Sequence, residues 1–483
     1  MEHLILFSHQ LNKRYIDRVK PDKTTVLVTK EQFNRFKYHQ FRIVYHMSAA
    51  KHFANEKEID YIESKNFDQF FASCPKEDNY HFFTPNDVWM KDCLIEKTSH
   101  LHTTFYLDIN YFFPNITKEI KEAPYKLDPI YRKWRKQLDI LMDGDKPIGG
   151  KFSYDQDNRN RPPLTLDIPK PLTFDMDDLT SSLYESIKID YNDHPGSNKS
   201  FNYPVTQADA KELLNHFIEK RLPYYGKYQD AMMTDEPFMV HSLLSASINL
   251  GLLFAEDVVR EVEKAYHDGN APIEAVEGFI RQILGWREYI RGIYLKEMPN
   301  GYGDLNVLHH QKHKPRFLYN GKWSLNCIAT VITETINYGY NHHIERLMII
   351  GNILNLLGVC PQDVREWFNE MYIDSFDWVV TPNVIGMAMY ADGGLMSTKP
   401  YISSANYIHK MSDYCKKCQF NPNDKYGEQA CPVNALYYAF LDRHKLSLED
   451  NPRMKFMYMN YKKLSKEQLD TLLSYANQFI QAI

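Results

Sequence analysis

The hydrophobic pattern of this chain alternates between strands and helices in its N-terminal part and is helical in its C-terminal part. Of all features of the sequence, this change limits the possible folds most strongly. In the first ~110 residues, short apolar runs alternate with polar, helix-like stretches, which is typical of βαβ units around a parallel sheet. The predicted strands are Leu4–Phe7, Val26–Val28, Ile43–Tyr45, Ile59–Ile62 and His81–Phe83. Neither a GxGxxG nor a GxxxxGK[ST] motif follows any of them, so the sequence contains no dinucleotide fingerprint and no P-loop.

The middle of the chain has no regular apolar pattern. Its segment Asp143–Leu164 is dense in Gly, Pro, Asn and Asp, which predicts a long connector between two domains. From Thr206 onward the pattern is helical, and Thr206 with Asp209 forms a capping arrangement for the first helix. A further helix is predicted over Ile328–Leu357.

Length and composition describe a soluble chain of two or three packed units. The 483 residues are 43% hydrophobic and 25% charged, which is ordinary for globular proteins. No apolar run reaches the ~18 residues of a membrane span, and the N-terminus looks like a first strand rather than a signal peptide. We therefore expect a cytoplasmic protein without a membrane partner. The net charge of −5 argues against a uniformly basic nucleic-acid binder but allows a local basic face.

Three of the seven cysteines are closely spaced, at Cys415, Cys418 and Cys431, and Pro432 follows the last. A CxxC pair with a third cysteine nearby favours a metal centre, and the final Cys-Pro is similar to the ferredoxin pattern. Structural zinc and a redox dithiol are the alternatives. Spacing alone does not choose the fourth ligand. The candidates for it are Cys74, Cys93, Cys327 and Cys360.

Five long strings of the sequence match one family. They are Ala275–Tyr294 (AVEGFIRQILGWREYIRGIY), Val331–Asn352 (VITETINYGYNHHIERLMIIGN), Pro382–Met387 (PNVIGM), Ala391–Cys418 (ADGGLMSTKPYISSANYIHKMSDYCKKC) and the PIGGKFSYDQDNR of the connector. The chain resembles, over essentially its whole length, the iron–sulfur bacterial cryptochromes and photolyases, the branch of prokaryotic (6-4) photolyases.

The resemblance implies the photolyase/cryptochrome fold with three parts. Residues 1–125 would form an α/β antenna domain with a Rossmann-like parallel sheet, residues 126–205 an interdomain linker, and residues 206–483 a large all-α FAD-binding domain. It also implies a 4Fe-4S cluster, with Cys360 left to the core. The implied cluster ligands are Cys327, Cys415, Cys418 and Cys431.

The resemblance further assigns the contacts of the flavin. His241-Ser-Leu-Leu-Ser245 resembles the phosphate-binding turn, in which hydroxyl and free backbone N–H groups hold a pyrophosphate. Arg346, with Asp374 or Asp377, resembles the charge pair beside the isoalloxazine ring. The implied FAD contacts are His241, Ser242, Ser245, Gln282, Trp286, Arg287, Arg346, Asp374, Asp377 and Asn383.

Two histidines and two tyrosines are implied at the lesion pocket. Repair of a (6-4) lesion needs a proton transfer as well as an electron, and histidine titrates near neutral pH. His343 matches the family's active-site histidine, with His342 beside it; from the residues alone, a hydrogen-bonded helix histidine is the alternative. Tyr401 and Tyr407 resemble the tyrosines that face the lesion, and such rings can stack on an extruded base.

The chain departs from the family in its electron-transfer residues. Trp367 matches the tryptophan next to the flavin, but the following position is Phe368, and the outer tryptophan is Tyr319 here. Because phenylalanine carries a hole poorly, either Trp367 and Tyr319 couple directly or another route serves. For the antenna, the resemblance implies 6,7-dimethyl-8-ribityllumazine with Glu31 as a polar contact; an amphipathic helix with packed aromatics is the alternative.

These expectations combine into one leading interpretation. The protein would be a monomeric DNA photolyase, a carbon–carbon lyase that repairs (6-4) photoproducts in UV-damaged DNA by electron transfer from photoexcited FADH⁻. The alternative is a cryptochrome-type blue-light photoreceptor without repair activity. A non-photoactive iron–sulfur enzyme of nucleic acids would need acidic metal sites, which the sequence does not show.

Overall fold

A parallel sheet organises the N-terminal part of the chain. The computed structural model describes residues 1–120, 122–157, 159–161, 163 and 166–482. Five strands, in the spatial order third, second, first, fourth, fifth, form this sheet. They are β1 Glu2–Phe7, β2 Lys23–Thr29, β3 Asp60–Ser64, β4 Asn79–Phe83 and β5 His102–Tyr106. Ile5 of β1 pairs with Thr25 of β2 and Phe82 of β4, all in parallel register. The prediction of a parallel α/β sheet is confirmed.

One predicted strand is wrong and one observed strand was not predicted. Ile43–Tyr45 lies inside the helix Gln40–Lys57, which is buried on almost every side near its start because it packs between the sheet and the rest of the protein. A short apolar run has the same pattern in a buried strand and in a buried helix, so periodicity did not separate them. Strand β5 escaped prediction because it is mostly exposed and polar (HTTFY).

Five helices flank the sheet, namely α1 Lys13–Val19, α2 Lys30–Phe33, α3 Gln40–Lys57, α4 Phe67–Ala72 and α5 Val88–Lys97. The connector then contains α6 Leu127–Leu138, the short hairpin β6 Met142–Asp143 with β7 Lys146–Pro147, and α7 Asp178–Asp190. Helix α7 packs on α3, where the Ser48 and Thr180 hydroxyls lie 2.7 Å apart. The predicted connector is therefore partly helical. Its positions Asn158, Pro162, Leu164 and Thr165 lie outside the described residues.

The remainder of the chain is helical, as predicted. Its helices are α8 Gln207–His216, α9 Leu222–Tyr228, α10 Ser245–Asn249, α11 Ala255–His267, α12 Ile273–Ile280, α13 Glu288–Glu297, α14 Phe317–Asn320, α15 Asn326–Tyr338, α16 Asn352–Leu357, α17 Pro361–Met371, α18 Asp377–Thr381, α19 Ala405–Met411, α20 Pro432–Arg443, α21 Lys445–Leu448, α22 Lys455–Tyr461 and α23 Lys466–Gln481. The predicted cap of α8 is confirmed, since the Thr206 hydroxyl accepts the backbone N–H of Asp209 at 3.1 Å. No helix in the described ranges combines the length and the apolar character needed to cross a membrane.

The helix predicted over Ile328–Leu357 is interrupted. Helix α15 ends at Tyr338, and Gly339 follows with φ of 59°, a left-handed conformation that glycine adopts at helix ends without strain. The helical path resumes as a wider π-helical segment at Glu345–Gly351 and continues into α16. Asn341 and His342 lie in the non-helical turn between the two helices, and His343 is the first helical residue after it. We refer to residues 341–343 as the histidine turn.

Candidate active site and metal centre

Arg346 and Asp374 form the central charge pair of the candidate site. Two guanidinium N–H groups of Arg346 donate to the two carboxylate oxygens of Asp374 at 3.0 and 3.1 Å. The Ser245 hydroxyl also donates to Asp374, at 2.7 Å. The pair therefore joins the predicted phosphate-binding turn to the turn at the end of α15.

Asp377 does not pair with Arg346, so that alternative of the sequence analysis is wrong. Its two carboxylate oxygens instead each accept from Nη2 of Arg365 at 2.8 Å, and Oδ1 also accepts from Nε of Arg365 at 3.1 Å. The hydroxyl of Tyr294 donates to the same carboxylate at 3.0 Å. Burial acts to raise the pKa of Asp377, but Arg365 and Arg35 outweigh it, so the pKa is lowered. Asp377 is thus a buried carboxylate that links α13 and α17 to the N-terminal part of the chain.

The predicted phosphate-binding turn is a tight loop before α10. Leu243 has φ of 61°, and the Ser242 hydroxyl accepts the backbone N–H of Leu244 at 3.3 Å. His241 is buried at the start of this loop, where its Nε2 lies 3.0 Å from the Gln229 carbonyl oxygen. The loop therefore presents Ser242 and Ser245 from a constrained backbone.

Several predicted flavin contacts lie on π-helical segments, where the widened turn displaces side chains from normal helical positions. These segments are Arg281–Arg287, Glu345–Gly351 and Pro382–Ala388, and such widened turns are frequent at functional sites. Gln282 and Asn383 are half-buried, and each amide donates to a carbonyl of its own helix, at 3.0 and 2.8 Å. Trp286 is half-buried as well and contacts Tyr289 edge to face.

Arg287 faces away from these residues. Its guanidinium donates to the Asn110 carbonyl at 3.1 Å and lies 4.2 Å from the centre of the Tyr111 ring and 5.4 Å from that of Trp378. The structure thus brings Arg287 to the boundary with the N-terminal part. Its role as a flavin contact stays a prediction.

The predicted histidines occupy two different environments. His342 is fully buried and stacks on His241, with ring centres 4.5 Å apart and planes 7° from parallel. Burial lowers the pKa of both rings, that of His241 to about 3, so the stack is uncharged at neutral pH. His343 is exposed to solvent within a recess of the protein, where desolvation and the charge of Arg346 lower its pKa to about 4. An anion bound beside Arg346 would raise this pKa again.

Tyr401 and Tyr407 are half-buried and lie near the connector. Burial raises the pKa of both hydroxyls, and charges of Asp155, Arg159 and Asp230 act on them. Arg159 lies 3.0 Å from Asp155 and 3.5 Å from Asp230. The sequence analysis missed these charged residues, because it interpreted their segment only as a linker. The arginines in its NRNR string are the signal that could have revealed them.

The four predicted cysteine ligands line one small cavity. Cys327 lies at the start of α15, Cys415 and Cys418 in the turn after α19, and Cys431 directly before α20. The other lining residues are Leu325, Ala405, Ile408, Tyr414 and Phe420. Cys360 lies elsewhere, with its thiol 3.1 Å from the amide oxygen of Gln362. The structure therefore brings Cys327 to the three clustered cysteines, as the resemblance implied.

The chemistry of this cavity suits a metal cluster. Burial and the Cys418 thiol raise the pKa of Cys415 to about 11, and burial raises that of Cys431 to about 12. Four crowded thiolates would therefore need a cationic centre to share their charge. Nevertheless, no three His, Cys, Asp or Glu side chains in the described part of the chain are grouped to hold a single metal ion.

The predicted electron donors, the flavin-proximal Trp367 and the outer Tyr319, are connected through the backbone. The indole N–H of the buried Trp367 donates to the carbonyl oxygen of Leu318 at 3.1 Å, and Tyr319 follows directly in the chain. Phe368 contacts Trp367 edge to face, with ring centres 5.4 Å apart. Direct coupling of Trp367 and Tyr319 is thus available without Phe368.

A cavity between the sheet and the helical part lies near the predicted antenna contact. Gln32, Phe33, Arg42, His46, Tyr111 and Trp378 are among its lining residues. Glu31 does not line it, because its carboxylate accepts the backbone N–H of Phe67 at 3.1 Å. An antenna contact through Glu31 stays a prediction.

Comparison with known proteins shows which family this chain belongs to. Residues 4–203 match the family model described as "Deoxyribodipyrimidine photo-lyase-related protein". A (6-4) photolyase of Agrobacterium fabrum is 43% identical over 357 residues, which cover 74% of this chain and 70% of the relative. The chain belongs to the deoxyribodipyrimidine photolyase-related family.

Solved structures confirm the photolyase fold of this photolyase-related protein. A bacterial class III photolyase from Agrobacterium tumefaciens superposes with a TM-score of 0.59 at 13% identity, covering 100% of this chain and 98% of that chain. An archaeal photolyase from Sulfolobus tokodaii, solved with two FAD molecules, gives 0.55 at 11% identity, covering 99% and 100%. At such low identities the two likenesses establish the fold alone.

A buried hydrogen-bond network links the histidine turn of this photolyase-related protein to its cysteine cavity. Glu345 accepts the hydroxyl of Tyr414 at 2.8 Å and the amide of Asn341 at 3.2 Å, and it lies 3.5 Å from His342. Tyr414 immediately precedes Cys415. Burial raises the pKa of Glu345 to about 7. Neighbouring Glu334 is also buried, and burial together with Glu345 and Asp235 raises its pKa to about 10.

Replacement of Glu334 by glutamine should stabilise the photolyase-related protein at neutral and alkaline pH. The folded pKa of Glu334 lies above its usual 4.5, so its contribution to stability is complete below about pH 4.5 and is lost as the pH rises toward 10. Glutamine stays neutral throughout. We expect a gain of roughly 1 to 4 kcal/mol in unfolding free energy at pH 8, and none at pH 4. Urea unfolding at both pH values measures this gain, and replacement of the exposed Glu467 by glutamine is the control. Identical unfolding curves for the wild type and Glu334→Gln at pH 8 would contradict the prediction.

Proposed function

We propose that this protein is a light-driven DNA photolyase that binds FAD and repairs (6-4) pyrimidine photoproducts. The observation that carries the proposal is the convergence of the Arg346–Asp374 pair, the serine turn and His343 at one site, in a chain 43% identical to a (6-4) photolyase. The domain division predicted from the sequence, with an antenna domain over 1–125 and a catalytic domain over 206–483, is part of the proposal.

The residues of the site fit a flavin nucleotide. Ser242 and Ser245 offer hydroxyl groups from a constrained loop, and Arg346 offers a positive charge held by Asp374. Both ring nitrogens of buried His342 lack a hydrogen-bond partner, which is unusual for a buried polar group. A polar ligand at this turn would satisfy such groups. When bound in its reduced form, FAD supplies an electron to the lesion after excitation by light.

The protein's own residues would position the lesion and handle its proton. Tyr401 and Tyr407 are aromatic rings near the connector, where an extruded base could stack while Arg159 and Arg161 approach phosphates. Arg346 favours negative charge on a neighbouring ligand. Such a charge also raises the pKa of His343, so that its imidazole could carry the proton that the lesion needs. His342, kept neutral by burial, would not supply this proton.

The four cysteines would hold a 4Fe-4S cluster with a structural role. They come from three separate segments, at α15, the turn after α19 and the start of α20. A centre that links distant segments contributes its binding free energy to folding. The lumazine antenna is proposed for the cavity lined by Phe33, Arg42 and Trp378.

Illumination of the purified protein with defined oligonucleotides tests this function. We expect blue light to restore an oligonucleotide carrying a (6-4) photoproduct and to leave a cyclobutane dimer unchanged, with no reaction in the dark. Repair of the dimer alone would overturn the substrate assignment. Flavin photoreduction without repair of either lesion would favour a cryptochrome-type photoreceptor.

A further inference from the structure

Tyr319, the outer residue of the predicted electron-transfer route, is connected to Trp367 in a way that the sequence does not show. Trp367 is completely buried, and its indole N–H donates to the carbonyl oxygen of Leu318. That carbonyl belongs to the peptide bond that leads into Tyr319. One hydrogen bond and a few covalent bonds therefore join the two rings.

The other aromatic neighbours of Trp367 are poor acceptors of a positive hole. Phe368 is difficult to oxidise. Tyr372 contacts Trp367 edge to face, but the guanidinium of Arg346 lies 3.9 Å from the centre of its ring. A cation so close disfavours positive charge on that ring. The Nζ of Lys314 lies farther from the Tyr319 ring, 5.7 Å from its centre. Its positive charge is opposed by the carboxylates of Glu370, Glu366 and Asp363, which act on the Tyr319 hydroxyl. Tyr319 is 40% exposed, so it can be reduced again from solution.

The hydroxyl of Tyr319 has a carboxylate partner. It donates to Oε2 of Glu370 at 2.5 Å, and Glu370 is 3% exposed. We propose that Glu370 is the proton acceptor that makes Tyr319 a proton-coupled electron donor to Trp367, an inference that rests on the proposed flavin photochemistry. The oxidant that first takes an electron from Trp367 is the light-excited, oxidised flavin.

The step balances within the protein. Tyr319 transfers one electron to oxidised Trp367, which returns to its neutral indole. The O–H bond of Tyr319 breaks, its proton moves to the Glu370 carboxylate, and a neutral phenoxyl radical remains. A tyrosine that loses an electron becomes a strong acid, so a base within hydrogen-bond distance decides whether the transfer goes forward.

Neighbouring charges leave Glu370 able to accept a proton. Burial raises its pKa, while Tyr319 and Lys314, whose Nζ lies 3.6 Å from Oε2, oppose this rise. Glu366 and Asp363 also face the Tyr319 hydroxyl, and Lys37 faces Glu370. Because the pKa of Glu370 is raised, the electron transfer should slow on acidification at a higher pH than the titration of an ordinary glutamate.

Flash photolysis of the flavin-loaded protein and its Glu370→Gln variant tests the proposal. We expect oxidised Trp367 to persist about a hundredfold longer in the variant, because a positioned base contributes on this scale, and the tyrosyl radical signal to disappear from electron paramagnetic resonance. The wild-type transfer should slow in D₂O. In the double variant Tyr319→Trp/Glu370→Gln, the rate should recover, because oxidised tryptophan can keep its proton.

Glu366→Gln is the matched control, since Glu366 contacts Lys314 at 3.0 Å and its charge also acts on Tyr319, but the Tyr319 hydroxyl donates its hydrogen bond to Glu370. It should retain the wild-type rate. A tyrosyl radical formed in Glu370→Gln at the wild-type rate, with the D₂O effect intact, would overturn the proposal. If adding Tyr319→Trp to Glu370→Gln does not restore the transfer rate, Glu370 only supports the local structure. This result would also overturn the proposal.

An external oxidant separates failure of this inference from failure of the proposed function. Photo-oxidised tris(bipyridine)ruthenium oxidises exposed tyrosine whether or not flavin is bound. The difference between wild type and Tyr319→Phe isolates the Tyr319 signal. In the wild type, this Tyr319 signal should decrease on acidification. In Glu370→Gln, the signal should no longer depend on acidification. If that decrease is the same in both proteins, Glu370 is not the proton acceptor, even in a protein that binds no flavin.

Discussion

Replacing Cys327 with alanine should abolish iron binding and leave little soluble protein. Cys327 supplies one of four thiols from three segments, and it is buried against the other three. Free energies of metal binding on the order of 10 kcal/mol count toward folding, which is far more than the ~1 kcal/mol of a typical substitution. Iron content, the visible absorption spectrum and the soluble yield measure the effect.

Cys360→Ala is the matched control for this prediction. Its thiol contacts Gln362 rather than the cysteine cavity, so iron content and yield should match those of the wild type. A soluble Cys327→Ala protein with full iron content would contradict the ligand assignment. A soluble, iron-free protein with normal flavin content would instead contradict the structural role of the cluster.

Replacing His343 with asparagine should reduce (6-4) repair by about 10²- to 10⁴-fold, the usual contribution of a positioned proton donor. His343 is the accessible imidazole of the histidine turn, whereas His342 is buried in its stack with His241. Flavin binding and photoreduction should persist, because neither requires a proton from this ring. Repair yield per absorbed photon and flavin photoreduction, measured on the same samples, separate the two effects.

His313→Asn serves as the control for this variant, because the side chain of His313 is 94% exposed. It should repair at the wild-type yield. If His343→Asn also repaired normally, the proton would have to come from another group, and the assignment of His343 would be wrong. Loss of flavin from His343→Asn would show a binding role instead.

Much of the fold could be predicted because it depends on local patterns. Strands β1, β2, β3 and β4 follow from short apolar runs between polar segments, and the start of α8 follows from a capping hydroxyl three residues before its partner N–H. Local rules failed at Ile43–Tyr45 in α3, because that part of the helix is buried on almost every side and shows no contrast between apolar and polar positions. They failed again where Gly339 ended one helix and the chain continued in the next.

The sequence by itself determined the α/β and helical halves and, through its long matching strings, the photolyase-related family. Only the tertiary structure decided that Asp374 rather than Asp377 pairs with Arg346, and that the Tyr319 hydroxyl donates a hydrogen bond to Glu370. The reason is physical. Periodicity and capping act between residues a few positions apart, whereas these partners lie on separate segments that meet only when the helices pack.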